Sequence, residues 1–124
     1  MPIASSLLKK PRLVKKLKDF YDYVQKNNGQ VGTKTRGIDL NFNNACNLRC
    51  KYCFTNSPKG DHVKEYLDIK AIKKLADEAD ELGYFEFDLQ GGELLLQPKK
   101  LFEVLEAIRP ERFYMYLTTN GYYL

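Results

Sequence analysis

Strand-like and helical segments alternate along this chain of 124 residues, and that order constrains the fold more than any other feature. Apolar residues at every second position predict strands, whereas apolar residues three and four apart predict helices. The predicted strands are 38–42, 84–90 and 113–117, and the predicted helices between them are 69–82 and 98–109. Strands separated by helices pair in parallel through right-handed crossovers. The sequence therefore predicts an α/β fold built on a parallel sheet.

An additional amphipathic helix is predicted over 12–28, ahead of the first strand. Its apolar residues recur at helical spacing and are Leu13, Val14, Leu17, Phe20, Tyr21 and Val24. The chain's local excess of basic residues falls on the same stretch, at Lys9, Lys10, Arg12, Lys15, Lys16 and Lys18. We interpret these residues as a solvated face. We assign residues 1–36 to this helix and its linker, and 37–124 to the core domain.

Length and composition exclude several classes of protein. With 44% hydrophobic and 29% charged residues the chain can build a core, and its net charge of +4 is well short of a nucleic-acid-binding composition. No apolar run approaches the roughly 20 residues that cross a bilayer, and the amino terminus lacks a secretory layout. A closed eight-unit barrel takes about 250 residues, so the chain looks like the opening part of a larger barrel.

The three cysteines all lie in the predicted loop 43–66, as Cys46, Cys50 and Cys53. This odd, clustered set favours a metal in a reducing compartment, such as the cytoplasm, over a disulfide framework. Thiolates select zinc or iron–sulfur clusters. Either His62 completes a closed Cys3His zinc site in an interaction module, or one metal position stays open for a ligand. A plain electron carrier is a third interpretation.

Three motifs follow the three predicted strands in order. Cys46-x3-Cys50-x2-Cys53, with Tyr52 before the last cysteine, follows the first strand. A Gly-Gly-Glu segment at 91–93 follows the second strand, and Thr-Thr-Asn-Gly at 118–121 follows the third. This ordered set resembles the radical S-adenosylmethionine (SAM) superfamily over residues 38–121. Leu94 stands where that family usually carries a proline after the Gly-Gly-Glu segment.

The resemblance implies the first three β/α units of a partial (β/α)6 TIM-like barrel, preceded by the amino-terminal helix. It also implies that a 4Fe–4S cluster is held by Cys46, Cys50 and Cys53, with one iron left for SAM. The cofactor-binding residues that it implies are Tyr52, Gly91, Gly92, Glu93, Thr118 and Asn120. Glu93 would accept hydrogen bonds from the ammonium group of SAM.

The activity implied by the resemblance is reductive cleavage of SAM to methionine and a 5′-deoxyadenosyl radical, which abstracts hydrogen from a substrate. The short lead into the cysteines and the Thr-Thr-Asn-Gly turn resemble the SPASM-like branch of peptide and protein maturases, so the predicted substrate is a peptide. Relatives in cofactor biosynthesis share the same motifs. The predicted partners are SAM, a substrate and an electron donor such as flavodoxin or ferredoxin, without a membrane. A chain of this length is expected to turn over poorly alone.

Overall fold

A three-stranded parallel sheet forms the centre of the fold. The computed structural model describes residues 7–57 and 67–124, in which the strands are β1 (Gly37–Asn41), β2 (Glu86–Gln90) and β3 (Tyr114–Leu117). They lie side by side in chain order and all pairs are parallel. The predicted α/β class and the predicted parallel pairing are therefore confirmed. The architecture is that of the opening units of a TIM-like barrel.

The α-helices that pack with the sheet in the described ranges are α1 (Pro11–Lys26), α2 (Ile69–Glu81) and α3 (Pro98–Ile108). Prolines occupy the first turns of α1 and α3, where a missing N–H costs no hydrogen bond. Asp68 caps α2 by accepting a hydrogen bond from the N–H of Ala71. Short 3-10 turns, Leu94–Leu96 and Pro110–Arg112, precede and follow α3 and were not predicted.

Alternating side chains give the sheet two unlike faces. Phe87 and Leu89 of β2 are fully buried under α2 and α3, and the Phe87 ring packs edge-on against Phe113 with centroids 4.7 Å apart. On the opposite face, Asp39 and Asp88 are register partners. The core cluster comprises Leu40, Phe42, Ile72, Ala76, Ala79, Phe87, Leu89, Leu94, Leu101, Val104, Ala107, Ile108 and Phe113. Burial of this apolar face is the main stabilising term.

The predicted apolar stripes are correct for some residues and wrong for others. In the predicted helices 69–82 and 98–109, helical spacing alone assigns Leu82 and Phe102 to the apolar stripes that face the core. Both are largely exposed, at 66% and 63%. Val104 and Ala107 are buried instead. The side of α3 that meets the sheet is set by the tertiary packing of α2 against α3, which a helical period alone does not specify.

The amino-terminal helix α1 packs at the amino-terminal ends of β2 and β3. Phe20 contacts Phe85 edge-on with ring centroids 5.1 Å apart, and Leu13 is fully buried. Lys16 is only 8% exposed, so the interpretation of the whole basic stretch as a solvated face is wrong at this position. Its ammonium group pairs with Asp80, donates to the carbonyl of Arg112 and lies 4.2 Å from the centroid of the Phe113 ring.

Candidate functional site

The segments that carry the three motifs all leave the sheet at its carboxyl-terminal edge. The cysteine loop follows β1, the Gly-Gly-Glu segment follows β2, and residues 118–121 follow β3. Neighbouring parallel strands end at the same edge, so the three segments come together there. Barrel proteins of this architecture place their sites at this edge.

The Gly-Gly-Glu segment lies directly against the backbone that leads into the first cysteine. The N–H of Gly92 donates to the carbonyl of Asn43 at 3.1 Å, and the N–H of Glu93 donates to the carbonyl of Ala45 at 2.7 Å. A Cβ at Gly92 would lie 2.0 Å from that same Ala45 oxygen, and one at Gly91 would lie 2.7 Å from the Asn43 oxygen. The two glycines therefore allow the cysteine loop to seat on the end of β2.

The side chain of Glu93 is directed into the protein. It is 0% exposed, and its Oε1 accepts hydrogen bonds from the N–H of Leu95 at 2.7 Å and from Oγ1 of Thr119 at 2.8 Å. Its Oε2 accepts from the N–H of Asn120 at 2.8 Å. Because the carboxylate is fully buried, a bound ligand could contact it directly only if the surrounding segments moved apart.

The turn after β3 reaches the cysteine loop through Asn120. Its Nδ2 donates to Oδ1 of Asn47, which lies between the first two cysteines, at 2.9 Å. The predicted Thr118 is exposed and its N–H donates to the carbonyl of Leu89, while Thr119 makes the contact with Glu93. Sequence reasoning missed Thr119 and Asn47, because a turn motif does not show which of its side chains points inward.

The thiols themselves are free and are supported by hydrogen-bond donors. Cys46 and Cys53 are half-buried and Cys50 is exposed. The N–H of Leu48 donates to Sγ of Cys46 at 3.4 Å, and Sγ of Cys53 lies 3.1 Å from Oγ1 of Thr55. The hydrogen bond with Thr55 is the main cause that lowers the pKa of Cys53 to about 7. A thiol of this pKa is substantially ionised near neutral pH, as a metal ligand must be.

The chemistry of the three thiols suits zinc or an iron–sulfur cluster. Within the described residues, no group of three or more His, Cys, Asp or Glu side chains converges as a ligand set for one ion. A tetrahedral zinc ion needs its sulfurs about 2.3 Å from one point, whereas cluster ligands bind separate irons. A cavity of about 450 Å³ lies against the loop and is lined by Cys50, Cys53 and neighbouring residues. His62 lies outside the described residues.

The loop also exposes aromatic and basic side chains. Tyr52 and Phe54 are 90% and 81% exposed, so the structure does not bring Tyr52 together with the Glu93 cluster of hydrogen bonds. Arg49 and Lys51 are exposed on the same loop. These four side chains give the cysteine loop exposed apolar and cationic surface.

Comparison with known proteins identifies the family. Residues 40–124 match the Radical SAM superfamily, and because this match covers most of the chain, the protein belongs to that superfamily. Members of the superfamily use a 4Fe–4S cluster and SAM, and those similar to this chain are enzymes. The three-thiol loop fits that cluster chemistry, because it leaves one of four irons without a cysteine.

Individual relatives match the same region. A Methanocaldococcus jannaschii protein, provisionally named a glycyl-radical enzyme activating enzyme, is 35% identical over 79 residues, 64% of this chain and 29% of the relative. The GTP 3′,8-cyclase of Psychromonas ingrahamii is 33% identical over 89 residues, 70% of this chain and 26% of the relative. The GTP 3′,8-cyclase of Haemophilus ducreyi is 35% identical over 88 residues, which are 68% of this chain and 26% of the relative.

The chain spans less than a third of the length of these curated relatives. No solved structure matches the chain significantly. Among residues 7–57 and 67–124, no helix is both long and apolar enough to cross a bilayer.

Proposed function

We propose that this chain is the amino-terminal part of a radical SAM enzyme, in which Cys46, Cys50 and Cys53 hold the 4Fe–4S cluster. The observation that carries the proposal is the seating of a loop with three free thiols on the Gly-Gly-Glu segment and the turn after β3. When bound, the cluster supplies the electron that cleaves SAM to methionine and a 5′-deoxyadenosyl radical. The division into 1–36 and 37–124 belongs to the same proposal.

The chain's own residues prepare this site in two ways. Thr55 and the N–H of Leu48 place donors beside two of the sulfurs, which stabilises thiolate charge and tunes the potential of a cluster. Gly91 and Gly92 keep the end of β2 free of side chains where it meets the loop. Tyr52, Gly91, Gly92, Glu93, Thr118 and Asn120 are the residues we assign to the surroundings of SAM.

The exposed cations of the loop suit an acidic electron donor. Arg49 and Lys51 flank Cys50, the most exposed of the thiols. Complementary charges steer the encounter of small redox proteins more than they strengthen the complex. We therefore keep flavodoxin or ferredoxin as the class of donor, acting in the cytoplasm.

The substrate that we propose is a peptide, processed by hydrogen abstraction in the manner of the maturase branch. The names of the relatives include GTP cyclases and an activating enzyme for a glycyl-radical enzyme, so a nucleotide is the competing class. Incubation with peptide pools and with nucleotides separates the two, because only a true substrate raises 5′-deoxyadenosine formation above the uncoupled rate.

Anaerobic reconstitution tests the central proposal. The chain is incubated with iron and sulfide, and iron, sulfide and visible absorption are measured. Wild type should become brown with about four irons per chain, and should form 5′-deoxyadenosine from SAM after reduction. Serine at Cys46, Cys50 or Cys53 should abolish both results.

A matched control keeps this experiment specific. Glu106→Gln alters an exposed position on α3 and should load iron like wild type. A colourless protein with one zinc per chain, lost on His62→Ala, would instead support the Cys3His module. Iron loading without any response to SAM would support a plain electron carrier.

A further inference from the structure

The carboxylate of Glu93 is fully buried and accepts hydrogen bonds from neutral groups. Within the described part of the chain, no lysine, arginine or histidine lies within ion-pair distance of it, and its side chain accepts only from neutral N–H and O–H groups. Burying a carboxylate is costly unless its oxygens are hydrogen-bonded. The donors that satisfy it come from the segment after β2 and from the turn after β3, so hydrogen bonds to the carboxylate connect these two segments.

The arrangement of donors requires a carboxylate at this position. Leu95 donates its backbone N–H to Oε1, and Asn120 donates its backbone N–H to Oε2. Backbone N–H groups can only donate, so both oxygens must accept. A glutamine would turn its NH2 group against one of these N–H groups and leave two buried donors facing each other.

The hydrogen bonds around Glu93, together called the clamp, extend to the cysteine loop through one side chain. Asn120, whose N–H is held by Glu93, donates from Nδ2 to Oδ1 of Asn47, and its own Oδ1 accepts from the N–H of Tyr122. Each polar atom of the Asn120 side chain therefore has a hydrogen-bond partner, which sets the orientation of its amide group. Asn47 directly follows Cys46, so its position bears on the path of the chain between the first two cysteines.

We infer that Glu93 is a positioning residue that acts on the cysteine loop through Asn120 and Asn47, instead of contacting the ligand itself. This inference rests on the proposed function for its consequence, because the loop that it positions is the one assigned to the cluster. Thr119 belongs to the same clamp, since its O–H is the third donor to the carboxylate. The clamp thus links, by hydrogen bonds, the segments that follow all three strands.

Hydrogen exchange in the metal-free chain tests the coupling. Glu93→Gln is compared with Glu106→Gln, the same substitution at an exposed position of α3. Exchange of residues 118–124 and of the loop 46–57 should accelerate about tenfold or more in Glu93→Gln, because a hydrogen-bonded charge is lost. Glu106→Gln should match wild type. Acceleration that spares the loop 46–57 would overturn the inference.

Two conservative pairs keep the test decisive if Glu93→Gln does not fold. Thr119→Ser keeps the O–H donor and Thr119→Val removes it, while Asn47→Asp keeps the acceptor and Asn47→Leu removes it. The serine and aspartate variants should exchange like wild type, and the valine and leucine variants should exchange several-fold faster in the loop 46–57. Equal exchange within each pair would contradict the clamp.

A spectroscopic readout separates positioning from stability. In iron-loaded protein, Asn47→Leu should change the response of the reduced cluster's paramagnetic resonance spectrum to SAM, and Asn47→Asp should restore it, with unchanged melting temperatures. An unaltered response in Asn47→Leu would overturn the inference. If wild type takes up no iron, the proposed function fails, and the hydrogen-exchange result still decides the coupling.

Discussion

At the carboxyl edge of the sheet, glycines, backbone groups and short polar side chains join the loops, whereas at the amino edge long charged side chains are buried against one another. Gly92 and Asn120 represent the first edge, where hydrogen bonds between neutral groups join an exposed loop to the sheet. Lys16, Asp80 and Arg112 represent the second, with side chains 9%, 4% and 5% exposed. We therefore associate the proposed chemistry with the first edge and the stability of the fold with the second.

This division has a physical reason. Ligand-binding loops must stay accessible and adjustable, so they are drawn from the less stable parts of a fold. The buried ion network at the other edge gains little net energy over an apolar core, but losing one partner leaves uncompensated charge. Substitutions at the two edges should therefore differ in kind: one set should change cluster binding and the other the free energy of unfolding.

The largest expected effect is at the amino edge. Asp80→Asn leaves Lys16 and Arg112 buried without their shared carboxylate, and should lower the free energy of unfolding by about 3–5 kcal/mol. Urea denaturation measures this change. Asp19→Asn, which breaks the exposed pair with Lys15, should leave the free energy of unfolding almost unchanged, because water screens that pair. Similar losses in the two variants would remove the distinction between the edges.

The second expected effect is on both the free energy of unfolding and the iron content. Gly92→Ala places a Cβ 2.0 Å from the carbonyl oxygen of Ala45, so the segment before Cys46 must move. We expect a loss of about 1–3 kcal/mol and a reduced iron content after reconstitution. Gly83→Ala meets no neighbouring atom but occupies a φ of +82°, and should cost about 1 kcal/mol with normal iron content. Normal iron content in Gly92→Ala would argue against the seating of the loop.

A smaller effect concerns pH at the amino edge. Burial is the main cause that lowers the pKa of Lys16 from its ordinary value of 10.5. Between the folded and unfolded pKa values, the unfolded chain binds a proton that the folded chain lacks, so the free energy of unfolding rises with pH in this window. Wild type should show this rise below pH 10.5 relative to Lys16→Met. Urea titrations at several pH values check it, and Lys15→Met, an exposed neighbour, should behave as wild type.

The smallest effect on stability sharpens the description of the site. Thr55→Val removes the main hydrogen bond that lowers the pKa of Cys53 to about 7, so that pKa should rise toward the ordinary value of 9.0. The pH dependence of Cys53 alkylation in the metal-free chain, followed by mass spectrometry, measures the midpoint. Thr33→Val in the exposed linker should leave it unchanged. An unchanged midpoint in Thr55→Val would assign the low pKa to other groups.

The carboxyl edge was predictable in outline but not in its side-chain contacts. The order of strands and motifs predicted the carboxyl edge, because parallel strands in sequence order must bring the ends of 38–42, 84–90 and 113–117 together. The inward direction of Glu93 and the role of Thr119 in place of Thr118 were not predictable from motif spacing. The peptide substrate and the zinc alternative stay predictions.

By itself, the sequence determined the class of fold and the loop that carries the thiols, since these follow from local periodicity and from the order of residues along the chain. Its three ordered motifs resemble the family that comparison with known proteins then identified. Only the tertiary structure decided that Lys16 is buried, that Phe102 is exposed and that Glu93 faces inward. The reason is that a residue's partners across helices and loops depend on how those elements pack, and a one-dimensional pattern does not contain that geometry.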